Sequence, residues 1–270
     1  MHGSTPLSII PPELLLKAYR TGIFPMADSR DDPEVFWVEP RMRAIMPIAG
    51  LHISHSLKKT LRKDRFRVTC NAAFDQVIEA CAGPRAGADE SWISERIMAS
   101  YCELARLGHA HSLECWEGEE LVGGLYGVGF GRVFCGESMF SRRTDSSKVA
   151  MAWLVAALRR GGAELLDCQF ITPHLASLGA VEIPQGRYLA LLRTAQRPLA
   201  EDEGFGLCLG LGLELGFADG LAPGEGDALP SDFGAGLLPA GFGALLADAA
   251  ASGLSSSPGN FIAQFLTHTS

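Results

Sequence analysis

The chain has 270 residues, of which 47% are hydrophobic and 20% are charged, a composition typical of a globular protein with one or two domains. No apolar run approaches the roughly 20 residues that span a bilayer, and no basic segment precedes an apolar one at the N-terminus. We therefore expect a cytoplasmic protein without a membrane partner. The seven cysteines include no Cys-x-x-Cys pair, which argues against a disulfide framework or a zinc site, and we expect no metal and no cofactor.

The net charge of −8 is distributed unevenly along the chain. Residues 1–196 contain 22 basic and 22 acidic residues, whereas residues 197–270 contain one basic and nine acidic residues. Within the neutral part, the segment 52–68 carries six Lys and Arg side chains against the single acid Asp64. The overall charge argues against a nucleic-acid partner, but this segment forms a local basic patch that can bind phosphates.

Residues 1–42 predict a small N-terminal domain with one short helix, which Pro11 and Pro12 begin and Gly22 ends. Residues 43–196 alternate between strand-like and helix-like segments. The strand-like segments, rich in β-branched and aromatic residues, are FRVTC, HSLECWE, ELVGGLYGVGFGRVFCGE and AELLDCQFI. The helix-like segments, ending at or near glycine, are FDQVIEACA, SERIMASYCELARLG and SSKVAMAWLVAALRRGG. This order predicts an α+β domain in which helices flank a mixed β-sheet.

Residues 197–270 are biased toward Gly, Ala and Leu and show no clear periodicity. We expect a loosely ordered, low-complexity extension with a short helix near its end. Its acidic residues predict a solvated linker; an alternative is a cover that repels RNA from the basic patch.

Two carboxylates lie in otherwise apolar strand segments. Glu137 follows Phe134 and Cys135, and a buried carboxylate is costly unless it is paired or hydrogen-bonded. Its partner is therefore either an internal arginine or a cationic ligand. Asp167 ends a second apolar run, and Gln169, two residues later, lies on the same face of that strand. Taken alone, Asp167 is also typical of a turn or cap.

The segment KVAMAWLVAALRR predicts a helix with an apolar face that includes Met151, Leu154 and Leu158. That face is typical of a core. Ser146 or Ser147 can cap this helix, and three cations surround its N-terminus: Arg142, Arg143 and Lys148. Because a helix N-terminus favours anions, the cluster predicts a phosphate site; the alternative is a capped helix with solvated cations.

The motifs GIFP, HIS, SWI, LGHAHS, LVGGLYGV, FCGESMFSR, DCQ and ASLGA occur between about Tyr19 and Leu192. In their order and spacing they resemble the bacterial leucyl/phenylalanyl-tRNA-protein transferase family. The resemblance implies transfer of Leu, Phe or, less readily, Met from aminoacyl-tRNA to the N-terminal Arg or Lys of a protein, which creates an N-end rule degradation signal. It also implies a monomer whose larger domain has a fold similar to that of acyl-CoA N-acetyltransferases.

By the same resemblance, Asp167 and Gln169 match the positions of a catalytic relay and Glu137 matches an acidic active-site position. We expect Gln169 to orient the attacking amine or the ester carbonyl, and Asp167 to hold Gln169 or to accept a proton through it. We expect Glu137 to attract the cationic side chain of the acceptor. A group that places the two reactants together can supply roughly 7 to 11 kcal/mol, so little basicity is required of the protein.

The remaining site residues fall into three sets. An apolar pocket for the donor side chain is predicted from Leu125, Phe134, Met151, Leu154, Leu158 and Leu166, and each of these is also typical of a core. By the resemblance, Trp92 and Tyr101 match aromatic positions near the bound 3′ end, where a base can stack on them, and Tyr19 matches a further position expected to bind tRNA. Met26 stands where the family often has Trp, a residue on which a base could stack. Acceptor-stem phosphates are predicted to bind Lys58, Lys59, Arg62, Lys63, Arg142, Arg143 and Lys148.

Two other classes of protein remain as alternatives. An acyl-CoA-dependent N-acetyltransferase would share the fold, but the sequence lacks a glycine-rich loop of the QxxGxG type ahead of a helix. A non-catalytic RNA-binding module would keep the basic patch but would not need Glu137, Asp167 and an apolar pocket on one sheet.

Overall fold

The structure, a computed structural model, describes residues 9–84, 91–197, 236–254 and 257–267. The chain begins with helix α1 (Pro12–Thr21), which ends at Gly22 in a left-handed conformation. Strands β1 (Phe24–Met26) and β2 (Phe36–Val38) follow and pair antiparallel. This small N-terminal part precedes the main sheet.

The main sheet has seven strands: β3 (Met42–Met46), β4 (Arg67–Cys70), β5 (Ala110–Glu117), β6 (Glu120–Phe130), β7 (Val133–Ser141), β8 (Leu165–Gln169) and β9 (Val181–Pro184). Their order across the sheet is β4-β5-β6-β7-β8-β3-β9. Neighbouring strands are antiparallel except β7 and β8, which are parallel. The predicted mixed sheet is therefore confirmed.

Helices cover both faces of this sheet. They are α2 (His55–Arg62), α3 (Phe74–Ala82), α4 (Glu95–Arg106), α5 (Ser146–Arg160), α6 (Pro173–Ser177), α7 (Gln185–Ala195), α8 (Leu237–Ala251) and α9 (Pro258–Phe265). One hydrophobic core contains residues of α2, α5, α8 and α9, and a second contains residues of α1, α3, α4 and α7. Helices α3, α4 and α5 confirm the three helical segments predicted for residues 43–196.

The expectation of a loosely ordered tail is wrong for residues 236–254 and 257–267, but the short helix predicted near its end is confirmed by α9. The segment 198–235 lies outside the described residues. Helix α8 packs on α5, where the rings of Phe242 and Trp153 lie 5.3 Å apart and Asp248 pairs with Arg160 at 2.7 Å. Helix α9 packs on α2, and its Gly259 N–H donates to Asp64 at 2.6 Å. Because α8 is apolar nearly all round, its sequence lacks the periodicity that signals a surface helix.

Among the described residues, no helix is both long and apolar enough to cross a membrane.

Candidate functional site

The site lies where the parallel strands β7 and β8 stop pairing. The two strands are in register from Val133 and Leu165 to Cys135 and Asp167. Two residues beyond the last pair, Glu137 and Gln169 both line a cavity of about 340 Å³. Gln169 adopts a left-handed conformation with φ 61°, which turns the chain out of β8. Loss of pairing therefore opens the sheet at the two side chains that the sequence singled out.

Glu137 is buried, with its carboxylate held by hydrogen bonds. The Gln169 Nε2 donates to it at 2.8 Å and the Tyr101 hydroxyl at 3.3 Å. The Tyr101 hydroxyl is in turn hydrogen-bonded to that of Tyr19. Burial raises the pKa of Glu137 to about 7, and the hydrogen bond from Gln169 offsets only part of that rise. The carboxyl group is thus poised to gain charge when a cation enters the cavity.

Asp167 is fully buried and engaged on both oxygens. Arg43 donates from Nε to Oδ1 at 2.9 Å and from Nη2 to Oδ2 at 2.5 Å. The Tyr188 hydroxyl also donates to Oδ2, at 3.0 Å. The Gln169 backbone N–H donates to Oδ1 at 2.8 Å. Asp167 does not line the cavity. Its contacts therefore fix the turn that presents the Gln169 side chain.

Arg43 is a partner that the sequence reasoning missed. It lies on β3, is 1% exposed, and its guanidinium stacks between the rings of Phe24 at 4.7 Å and Tyr188 at 4.5 Å. The neighbouring carboxylate of Asp167 raises the pKa of Arg43 even though burial opposes its charge. A basic residue inside the short apolar strand MRAIM was the available signal, since such a cation needs an internal anion.

The cavity wall contains most of the predicted donor-pocket residues. They are Leu125, Met151, Leu154 and Leu166, and Trp92, which was predicted near the bound 3′ end, also lines the cavity. Phe134 and Leu158 are outside this wall, and both are buried in the core instead. Leu158 lies one helical turn beyond Leu154, which carries it past the cavity, and the ring of Phe134 packs against the backbone of Gly127. The predicted positions of these two residues in the pocket are therefore wrong.

Tyr101 and Tyr19 are also absent from the cavity wall. Tyr101 is fully buried behind Glu137, and Tyr19 is 1% exposed. Neither ring has a free face on which a base could stack, so the structure places them as a hydrogen-bonding layer beneath Glu137. Met26, at the end of β1, is half-buried against the same core.

The predicted RNA-binding cations differ in how freely they can bind phosphate. Lys59, Arg62 and Lys63 are exposed, and the Nζ of Lys58 lies 3.5 Å from the hydroxyl of Thr267. In contrast, three cations near the start of α5 already have partners. Arg143 pairs with Glu117 and Glu120 at 3.1 Å each, Lys148 pairs with Asp145 at 3.3 Å, and Arg142 lies over the Phe140 ring at 5.4 Å.

The predicted serine cap of α5 is wrong. Asp145 precedes the helix and makes no side-chain cap, while the buried Ser146 hydroxyl donates to the carbonyl of Val122 at 2.9 Å. Together with the acidic partners of Arg143 and Lys148, this local arrangement weakens the case for a phosphate site at the start of α5.

Sequence reasoning missed several residues of the cavity wall: Met139, Phe170, Thr172, His174 and Leu175. Three of them belong to the start of α6, which Thr172 caps by accepting from the Leu175 N–H at 3.1 Å. The dipeptide Thr172-Pro173 was the available signal, because Thr before Pro is typical of a helix start. Among the described residues, no cluster of three potential metal ligands occurs.

Comparisons with known proteins agree with this architecture. Residues 45–193 match the family model described as leucyl/phenylalanyl-tRNA protein transferase, and residues 9–41 match the model of that family's N-terminal domain. A leucyl/phenylalanyl-tRNA–protein transferase of Novosphingobium aromaticivorans is 67% identical over 97% of both chains. Proteins of the same name from Zymomonas mobilis and Rhizorhabdus wittichii are 56% and 55% identical over 70% of this chain, covering 70% and 76% of their own lengths. The chain therefore belongs to the leucyl/phenylalanyl-tRNA protein transferase family.

Proposed function

We propose that this protein transfers Leu, Phe or, less readily, Met from aminoacyl-tRNA to the N-terminal Arg or Lys of an acceptor protein. The observation that carries the proposal is a single cavity with an apolar wall and a polar end, the latter formed by Glu137 and Gln169. The apolar wall suits a hydrophobic aminoacyl side chain. A hydrophobic pocket discriminates between side chains that differ by one methylene by only about 1 to 3 kcal/mol, so it can accept Leu, Phe and Met.

The reaction joins the acceptor amine to the ester carbonyl and releases the 3′ oxygen of the terminal ribose. An α-amine with a pKa near 7.7 to 8.0 is already partly neutral at pH 7, and the ester is an activated acyl donor. Positioning therefore supplies most of the rate. Gln169 orients the amine or the carbonyl with its side chain, and Asp167 holds the Gln169 backbone at 2.8 Å. The ion pair of Asp167 with Arg43 supports this positioning role over that of a general base.

Glu137 is the proposed partner for the cationic side chain of the acceptor. A unit charge about 4 Å from a carboxylate gains roughly 4 kcal/mol of gross attraction at an effective dielectric constant near 20. Since burial holds the pKa of Glu137 at about 7, an entering cation favours the ionised carboxylate and an uncharged acceptor does not. This difference favours Arg and Lys over neutral N-termini.

Four further assignments complete the proposal. The larger domain has an acyl-CoA N-acetyltransferase-like fold, and the parallel pair of β7 and β8 in a mixed sheet supports this. The chain divides into residues 1–42, 43–196 and 197–270, and the family matches at 9–41 and 45–193 support the first boundary. The protein acts as a cytoplasmic monomer. The transferred residue marks the acceptor for degradation.

The decisive experiment supplies radiolabelled Leu-tRNA and a protein that begins with Arg. We expect label to enter the acceptor protein, and a parallel reaction with labelled acetyl-CoA tests the N-acetyltransferase alternative. Glu137→Gln should reduce the preference for Arg over a neutral N-terminus. Transfer of the acetyl label instead of the leucyl label, or an unchanged preference in Glu137→Gln, would contradict the corresponding assignment.

A further inference from the structure

His174 is a polar residue of the cavity wall to which the proposed reaction assigns no role. Its side chain lines the same cavity as Glu137 and Gln169. Its Nε2 atom is buried and has no hydrogen-bond partner among the described residues. Since buried polar groups in proteins are nearly always hydrogen-bonded, an orphaned nitrogen on a residue that lines a substrate cavity points to a partner supplied by the ligand.

The local structure holds this imidazole in a defined place and a defined charge state. Thr172 caps α6, and the Ser177 hydroxyl donates to the His174 carbonyl at 2.7 Å, so the short helix is fixed at both ends. Burial and the nearby cation Lys148 lower the pKa of His174. The side chain is therefore a neutral imidazole near pH 7, with one nitrogen that donates and one that accepts.

Beside the reacting ester, the donor end of the tRNA carries an α-amine and a ribose 2′-hydroxyl that the other residues of the cavity leave unassigned, and a protonated α-amine only donates. The aminoacyl side chain takes the apolar wall, the cationic side chain of the acceptor takes Glu137, and Gln169 orients the acceptor amine or the ester carbonyl. The terminal ribose follows the ester into the mouth of the cavity and carries a 2′-hydroxyl beside the ester oxygen. A hydroxyl both donates and accepts, so it can satisfy either tautomer of His174.

We propose that His174 binds the ribose 2′-hydroxyl next to the reacting ester. The inference rests on the proposed function, and it makes His174 a residue that selects an RNA end and positions its ester. The same cavity would then bind the aminoacyl side chain on its apolar wall and recognise the 2′-hydroxyl, the group that distinguishes RNA from DNA.

The test uses Phe-tRNA that has been acylated chemically and ends in either adenosine or 2′-deoxyadenosine, with an acceptor protein beginning with Arg. The measured quantity is kcat/KM for the adenosine donor divided by kcat/KM for the 2′-deoxyadenosine donor, determined with the full-length protein. In the wild type this ratio should exceed that of His174→Ala and of His174→Leu by roughly 3- to 10-fold, the loss expected for one hydrogen bond. Differences in ester reactivity cancel because they affect every enzyme equally.

Ser177→Ala is the matched control, since it removes a hydrogen bond of α6 and leaves the imidazole in place. Its donor ratio should equal that of the wild type. The inference is overturned if either His174 variant keeps the wild-type ratio, or if Ser177→Ala lowers the ratio as much as they do. Failure of the wild type to use the adenosine donor would overturn the proposed function itself, so the two failures are distinct.

Discussion

Glu137 shows how burial and hydrogen bonding compete at a single residue. Removal from water disfavours the ionised carboxylate, whereas hydrogen bonds donated to it favour that form. Here burial is the larger effect, and the pKa rises to about 7. Part of the folding free energy is therefore spent on holding a carboxyl group in a state that a cationic ligand can change.

This raised pKa predicts a pH-dependent difference in stability between the wild type and Glu137→Gln. Between about pH 4.5, the ordinary value, and about pH 7, the folded chain holds a proton that the unfolded chain has lost. Stability conferred by residue 137 therefore falls as pH rises through that window. We expect the free energy of unfolding of the wild type to fall by about 3 kcal/mol relative to that of Glu137→Gln, because a shift of two to three pKa units corresponds to a free energy on that order. Urea denaturation of both proteins at pH 5 and pH 7.5 measures this change. If the two proteins differ in unfolding free energy by the same amount at both pH values, the raised pKa of Glu137 is refuted.

Asp167 and Arg43 predict a stability effect separable from catalysis. Asp167→Asn leaves the guanidinium buried without its counter-charge, which should cost about 3 to 5 kcal/mol of unfolding free energy. The asparagine oxygen can still accept from the Gln169 N–H, so the folded variant should keep most of its kcat at saturating substrates. Denaturation and kinetics are measured together, with Glu182→Gln on the exposed face of β9 as a control. Collapse of kcat in fully folded Asp167→Asn would instead support a general base.

At the scale of elements, the close approach of α8 to α5 depends on Gly241. A Cβ atom there would lie 2.0 Å from the Ala157 carbonyl oxygen, so any side chain forces the helices apart. We expect Gly241→Ala to destabilise the protein by about 1 to 3 kcal/mol, as overpacking does. In the same helix, Gly243 has nothing within 4 Å of the corresponding position, and Gly243→Ala should be neutral or stabilising by about 0.5 to 1 kcal/mol. Thermal unfolding of both variants checks the contrast, and equal effects would contradict this packing.

Helix α2 and the start of α5 predict different contributions to RNA binding. Arg62 on α2 is exposed, whereas Arg143 is held by Glu117 and Glu120 at 3.1 Å each. If Arg62 contacts a phosphate, Arg62→Gln should weaken tRNA binding and reduce the slope of log K against log salt by about 0.9. Arg143→Gln should change the slope less, because its charge is already compensated. Filter binding at several salt concentrations measures both; equal slopes for wild type and Arg62→Gln would exclude that contact.

At the scale of the whole molecule, the net negative charge lies beyond residue 196, whereas residues 1–196 carry equal numbers of acidic and basic residues. Eight of the nine acidic residues beyond position 196 fall between 201 and 232, outside the described residues, and the ninth is Asp248 on α8. Because α8 and α9 pack on α5 and α2, removing everything after Gln196 would expose core and confound any test of charge. Neutralising the eight acids to Asn and Gln isolates that charge.

We expect this neutralised variant to bind tRNA within about twofold of the wild type at physiological salt, since solvated charges more than about 8 Å apart are largely screened. Filter binding beside the wild type is the measurement, with unchanged thermal unfolding as the control for folding. A large gain in affinity would instead show that the acidic segment covers the basic patch.

The sequence by itself predicted the family, strands β4 to β8 and helices α3 to α5, and it singled out Glu137, Asp167 and Gln169 as polar residues of the site, because these depend on local patterns and motifs. It did not predict β3, β9, α2, α6 or α7. Tertiary structure alone decided the partner of Asp167, since Arg43 lies 124 positions away in the chain and only the order of strands brings the two together. It also decided that Phe134 and Leu158 belong to the core and that α8 covers α5. Apolar residues give the same sequence pattern whether they line a pocket, fill a core or lie between two helices, and only their packing in the folded chain distinguishes these environments.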